Sequence, residues 1–282
     1  MPQKSPRLEL SREQILGFRR EAGSLNERLP MSAKSLRLAA WAGLQDSMPR
    51  AALLSIHARI KECDPNCWEH PSLVQLWGPR FNNYVVAARD LPVFSLGRLP
   101  DDARRRARAH DLASRLHAFL DGRRMPNNEA ERALGLPSNM LRYAAPTGTV
   151  LLRWDGARDA VVWCGPPHDM APRDARLELA RRYLHIFGPS TVASFGRWAG
   201  IGKTEARDAF AELAGTLAPV KTPAGDAWIL ADDEAALRQP FSSKAAAAAR
   251  LMPSGDAYYL VFRVGHQDLS IRVPHEFGPV RY

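Results

Sequence analysis

Three adjacent residues, Gln45, Asp46 and Ser47, set an amide, a carboxylate and a hydroxyl side by side in the stretch GLQDSMPRAALLSIHAR. Groups of this kind serve one of two ends. They satisfy the free N–H groups at the start of a helix, or they work on a substrate. Asp46 or Ser47 suits the first role, because a short side chain ending in oxygen accepts from first-turn amides. Pro49 suits the first turn of a helix running from about Pro49 to Ile60. Gln45 has no capping advantage, so it is the member of the triplet that capping leaves unexplained.

Other residues with chemical potential resolve more blandly. His57, Cys63, Cys67 and His70 are of zinc-ligand type, but Cys-x3-Cys-x2-His has no second tight pair. Asp64–Pro65–Asn66 is a turn and His57 lies within a helix, so no metal is expected. GIGKTEAR ends like a phosphate-binding loop, yet Arg197 stands where the first glycine belongs and a helical segment precedes it. Gly202, Lys203 and Thr204 are therefore expected to be the turn and cap of a helix. The run Arg104, Arg105, Arg106 and Arg108 is a solvated helix face that could also meet phosphates. Arg50, Arg59, Arg80, Arg142, Arg153 and Lys203 are the further candidates for DNA contact, since they fall on or near the third helices and the hairpins described next. There is no Gly-x-Ser-x-Gly elbow and no His-Glu-x-x-His, and nothing marks a nicotinamide or flavin fold; no cofactor is expected.

The elements that must position these residues come in a recurring order. LSREQILGFRREAG predicts a helix with Ser11 as cap and Gln14 completing a capping box. SAKSLRLAAWAG predicts a second, and the Pro49 stretch a third. Val74–Trp77 and Tyr84–Ala87 then read as a hairpin. The order repeats with an amphipathic helix behind Asp101 and Asp102, a helix capped by Asn127 or Asn128 and stopped at Gly135, and a third capped by Ser138. TVLLRW and AVVW follow around the Asp155–Gly156 turn signal. It repeats again with APRDARLELARRYLHIFG, STVASFGRWAG and GKTEARDAFAELAG, then LAPVKT and AWILAD. Three helices and a hairpin are the winged helix-turn-helix plan. The fold class is accordingly mainly α with small β-hairpins (α+β). Three tandem winged units are expected at residues 8–98, 99–168 and 169–234. An alanine run and a partial, truncated C-terminal β segment are expected at 235–282, with RLMP and DAYYLVF opening the β part.

Bulk properties agree with a DNA-binding role. The 282-residue chain carries 39 Lys plus Arg against 30 Asp plus Glu, a formal charge of +9, which favours an anionic partner. Three scattered cysteines do not suggest a disulfide framework, and MPQKSPRLELSREQ has no apolar core of a signal peptide. No apolar run approaches the length of a membrane span. A cytoplasmic monomer is expected, nucleoid-associated in a bacterium.

GLQDSMPRAALLSIHAR resembles the active-site segment of the AlkZ/YcaQ-like winged-helix DNA glycosylases. That segment runs Gln, a variable residue, Gln or Asp, then proline two residues on and an apolar helix ending in Arg; Gln45, Asp46, Ser47, Pro49 and Arg59 occupy those places. LVQLWGPRFNNYVVAARDLPVF is similar to the family through Trp77, Arg80 and Tyr84, and LELARRYLHIFGPSTVASFGRWAGI resembles its third winged helix. RLMPSGDAYYL is similar to the start of its C-terminal barrel. The resemblance covers about residues 36–260.

It implies hydrolysis of the N-glycosidic bond of alkylated or crosslinked bases in double-stranded DNA. Gln45 would position the water, with Ser47 or Asp46 assisting, since an amide can both accept from and donate to water. Two departures stand out: Ser47 occupies the position of a Gln or Asp, and the tail ends at Tyr282 without the full barrel. The alternatives are a non-catalytic winged-helix DNA-binding or regulatory protein and a protein-interaction module with incidental basic charge.

Overall fold

The computed structural model describes residues 8–239 and 249–260. Most of the alanine run, and the expected C-terminal β segment from residue 261 on, lie outside them. The architecture of the described residues is mixed α+β: helices make up most of the regular structure and three small three-stranded sheets punctuate it.

Strand β1 (Leu8–Glu9) leads into α1 (Arg12–Ala22), where Ser11 and Gln14 form the reciprocal capping box. Next come α2 (Ala33–Ala39), β2 (Leu44–Gln45), α3 (Ala51–Arg59), β3 (Leu73–Trp77) and β4 (Asn83–Ala87). Strands order as β2-β4-β3, all antiparallel. Helix α3 starts two residues later than the sequence suggests. Arg50 adopts a left-handed conformation (φ 60°), so Pro49 sits in a turn and not in the first helical turn.

After α4 (Leu91–Ser95), the segment α5 (Ala103–Leu120), β5 (Met125–Pro126), α6 (Asn127–Ala133), β6 (Val150–Arg153) and β7 (Val161–Cys164) builds the second sheet, β5-β7-β6. Asp102 caps α5 by accepting from Arg105 N–H at 2.8 Å. The expected third helix here is a 3₁₀ segment, Leu141–Thr147, interrupted by Pro146, which has no N–H to give. Its start is held by the buried Glu131 carboxylate, which accepts from Asn139 and Leu141 N–H at 2.9 Å each; Ser138 does not cap it. Nor do the asparagines cap α6, since both lie inside it.

Helices α7 (Pro172–Phe187), α8 (Val192–Ala199) and α9 (Lys203–Glu212) precede β8 (Leu217–Thr222) and β9 (Gly225–Leu230). Gly200 ends α8 at φ +73° and Gly202 begins α9, so GIGKTEAR joins two helices. A short α10 (Glu234–Leu237) follows.

Packing ties chain segments far apart in sequence. Tyr183, Phe187, Phe195 and Trp198 form an aromatic core together with Tyr84, Leu91 and Phe94. Helix α1 buries Ile15 and Phe18 against Val220, Ala227, Ile229 and Leu237, and β1 pairs parallel with β8. The start of the chain therefore completes the core around the last hairpin. The segment RLMPSGDAYYL also differs from expectation: Ala257–Leu260 is a helical turn, α11, rather than the start of a strand. Cys63 and Cys67 are disulfide-bonded across the Asp64–Asn66 turn, a pairing that the scattered cysteine count did not suggest. Among the described residues no group of three or more His, Cys, Asp or Glu could hold a metal, and no helix is long and apolar enough to cross a membrane.

Candidate active site

Gln45 owes its position to the short strand that carries it. Alternation along β2 sends Leu44 into the core and leaves Gln45 half-exposed on the other face, opposite Tyr84 of β4. Gly43 precedes it at φ +78°, and a Cβ there would approach the Phe94 and Tyr84 rings to 2.9 and 3.0 Å. Only glycine fits that approach.

The Gln45 amide is held at both ends. Its Oε1 accepts from Arg80 Nη2 at 2.6 Å and from Tyr84 Oη at 3.4 Å. Its Nε2 donates to Ser47 Oγ at 2.8 Å. The oxygen must face the arginine, because a guanidinium only donates; this fixes which way the amide points. One Nε2 hydrogen and the Ser47 hydroxyl then remain to hold a small polar ligand such as water. The Gly255 backbone lies against the same amide, and Ser254 Oγ reaches Met48 Sδ at 3.4 Å, so the segment 254–255 closes one side.

Arg80 itself stands on a constrained loop. Arg80 and Phe81 both have φ of 57°, and Arg50 at the start of α3 has φ 60°. Non-glycine residues in this region cost roughly 1–3 kcal/mol each and persist where surrounding structure enforces them. Here Tyr84 packs under Gly78, and the Arg80 backbone runs so close to Gly200 at the end of α8 that a Cβ there would stand 3.1 Å from Arg80 N. Burial raises the Tyr84 phenol's pKa, against a smaller lowering by the Arg80 guanidinium, so the phenol stays protonated as a donor at neutral pH.

Asp46 points the other way. It is buried; Oδ1 accepts from Ala52 N–H at 2.9 Å and Oδ2 from Gln75 Nε2 at 2.6 Å. Gln75 in turn grips the Trp154 backbone, accepting from its N–H at 2.7 Å and donating to its carbonyl at 3.1 Å. Asp46 is therefore the cap of α3 and a tie to the second hairpin, and no longer a candidate for chemistry beside Gln45. Burial raises its pKa, partly offset by the Ala52 and Gln75 hydrogen bonds.

Asp46→Asn is expected to destabilise the fold by about 1–3 kcal/mol although it removes a buried charge. The new NH2 must face either the Ala52 N–H or the Gln75 amide, which is fixed by Trp154. Because the folded-state pKa of Asp46 is raised, its contribution is greatest at low pH and is lost as pH rises through the raised value. The wild-type-to-variant gap in urea midpoint should accordingly narrow as pH increases. An equal midpoint at all pH values would refute the capping role.

The remaining sequence candidates separate. Arg80 joins Gln45. Arg50 and Lys203 are exposed, at the starts of α3 and α9. Arg142 lies half-buried over the Tyr143 ring, 5.6 Å from its centroid. Arg153 pairs with Glu69 and stacks on Trp68 at 4.3 Å, so it is engaged within the protein. Arg59 is a correction. Its side chain is 3% exposed and bound to Asp256, Gly23 and Ser55, because a guanidinium at the end of α3 is needed to neutralise a buried carboxylate; it offers nothing to a phosphate. Gln75 and Asp256 are the residues that sequence reading missed. A lone polar residue inside the apolar strand LVQLW was the available signal for Gln75.

Comparison with known proteins comes to the same place. The family model described as DNA glycosylase AlkZ-like matches residues 38–264. Among solved structures, the Streptomyces sahachiroi DNA glycosylase AlkZ superposes with a TM-score of 0.67 at 18% identity, over 90% of this chain and 78% of that one. At that identity the likeness establishes a shared fold. No functionally curated protein matches the sequence.

Proposed function

We propose, from the premise that this chain belongs to the AlkZ-like DNA glycosylase family, that it hydrolyses the N-glycosidic bond of alkylated or crosslinked bases in double-stranded DNA. The observation that carries the reading is the Gln45 amide, oriented by Arg80 and tied to Ser47 on an open face.

The chemistry asks little of acid–base groups. An N-alkylated purine carries positive charge and leaves without strong protonation, and the sugar develops oxocarbenium character. What is needed is a water held against the anomeric carbon, a matter of position more than basicity. The free Nε2 hydrogen of Gln45 and the Ser47 hydroxyl can hold it. Arg80 keeps the amide from rotating, and its charge suits a neighbouring phosphate. The +9 chain supplies the wider attraction to the duplex.

Under this reading the three helix-and-sheet groups act as tandem winged helices, at residues 8–98, 99–168 and 169–234, with 235–282 as the C-terminal part. Helix α1 of the first group is shared with the third core, which would hold the groups in one orientation around DNA. The protein would work as a monomer on one duplex, through the exposed Arg50 and Lys203 and the half-buried Arg142.

One observation favours a second reading, a DNA-binding protein without catalysis: the carboxylate of Asp46 is turned into the interior, and none bonds to Gln45 or Ser47 among the described residues. Release of free base from a duplex bearing one N7-alkylguanine separates the two. Both predict salt-sensitive binding, and only the first predicts abasic product.

A further inference from the structure

Beyond Gln45, an exposed aromatic, Tyr143, packs against the loop that carries Arg80. Tyr143 is 42% exposed, and its hydroxyl has no hydrogen-bond partner among the described residues. Its ring packs on Phe81, with centroids 4.9 Å apart. Phe81 directly follows Arg80, the residue that grips Gln45.

The pair rests on a fixed base. The Arg98 guanidinium lies under the Phe81 ring at 4.7 Å, and it is itself buried and bound to the Trp77 carbonyl at 2.7 Å and the Ala199 carbonyl at 2.9 Å. Phe81 adopts φ of 57°, held there by the packed loop. Arg98, Phe81 and Tyr143 thus form a column in which the two rings are tilted 56° to one another and the outer ring is partly exposed. Arg142 lies over that ring, 5.6 Å from its centroid, and its Nε is buried without a partner among the described residues. An exposed aromatic ring with a cation against it, packed on the residue that follows the site's arginine, is complementary to a nucleobase and its phosphate.

We infer that Tyr143, backed by Phe81, stacks on a base of the duplex next to the target nucleotide and so holds the DNA in register with Gln45. This rests on the DNA-directed reading above and adds to it a positioning residue. Phe81 would resist displacement, because the buried Arg98 lies beneath it. Taking a base out of the helix leaves an unstacked neighbour, and an aromatic ring of this kind compensates the lost stacking.

The test uses the full chain and a duplex carrying one N7-alkylguanine with 2-aminopurine beside it. Wild type should change 2-aminopurine fluorescence on binding. Tyr143→Ala should lose that change and bind about 5- to 100-fold more weakly, the size of one base–aromatic stack. Tyr143→Phe keeps the ring and should restore both signals. Loss of the Phe81 contact should lower the thermal midpoint of Tyr143→Ala modestly, and a cooperative transition of wild-type shape reports that the variant is folded. Equal affinity and equal fluorescence for Tyr143→Ala and wild type would overturn the inference even if wild type releases base. A lost signal in Tyr143→Ala with no base release by wild type would support the stacking role and defeat the glycosylase reading instead.

Discussion

Gln45→Ala is expected to slow single-turnover release of an N7-alkylated base by about 10²–10³-fold, the usual effect of deleting one positioned polar group at a reacting centre. Duplex affinity should stay within about twofold, because Gln45 contributes orientation and the exposed cations contribute binding. The size follows from the contacts. Gln45 Nε2 is the group that also fixes Ser47, at 2.8 Å, so its removal loosens both partners of the water at once. Arg80 Nη2 loses its 2.6 Å acceptor and is freed to move. Single-turnover kinetics with enzyme in excess separate this from slow product release. A rate equal to wild type would remove Gln45 from the mechanism.

The second large effect lies in stability. Asp256→Ala should cost about 3–5 kcal/mol, since it strips one partner from a fully buried ion pair. Asp256 accepts from Arg59 Nη1 at 2.7 Å, from Arg59 Nη2 at 2.9 Å and from Ser55 Oγ at 2.6 Å, with its side chain wholly inaccessible. In the variant the guanidinium keeps only the Gly23 and Ser55 carbonyls.

Burial would raise the Asp256 pKa, but the Arg59 charge and hydrogen bonds outweigh it and hold the carboxyl below the ordinary range. With a lowered folded-state value, the stabilisation is fully present above the unfolded value of about 4 and is lost as pH falls through the folded one. Urea midpoints of wild type and variant should thus differ widely at neutral pH and converge in acid. The same change unties Gly255 from Gln45, so base release should fall along with stability.

The element order was legible because its signals are local. The Ser11–Gln14 capping box, the acidic start of α5 at Asp101 and Asp102 and the hairpin turns act within a few residues of themselves, and the structure realises them. What was not legible depends on distant partners. Glu131 starts the 3₁₀ segment from 8 and 10 residues away. Asp46 caps α3 from six residues upstream and answers to Gln75 and, through it, to Trp154.

Arg59 shows the same limit most clearly. At the end of a helix in a basic chain it reads as a phosphate contact, and only Asp256, 197 residues on, makes it a buried ion pair. Within the site, Gln45 stood out because capping chemistry had no use for it. Its grip by Arg80 depends on a left-handed backbone that no residue type at that position announces.

The most direct measurement is free base released from a duplex carrying a single N7-alkylguanine, by wild-type protein in excess, scored against spontaneous depurination. The same preparation should first be shown to bind that duplex in a salt-dependent manner. The expected result is stoichiometric release of the alkylated base, leaving an abasic strand that breaks only on alkali treatment. Binding without release above the spontaneous background would contradict the assignment and leave Gln45, Ser47 and Arg80 as part of a DNA-binding surface alone.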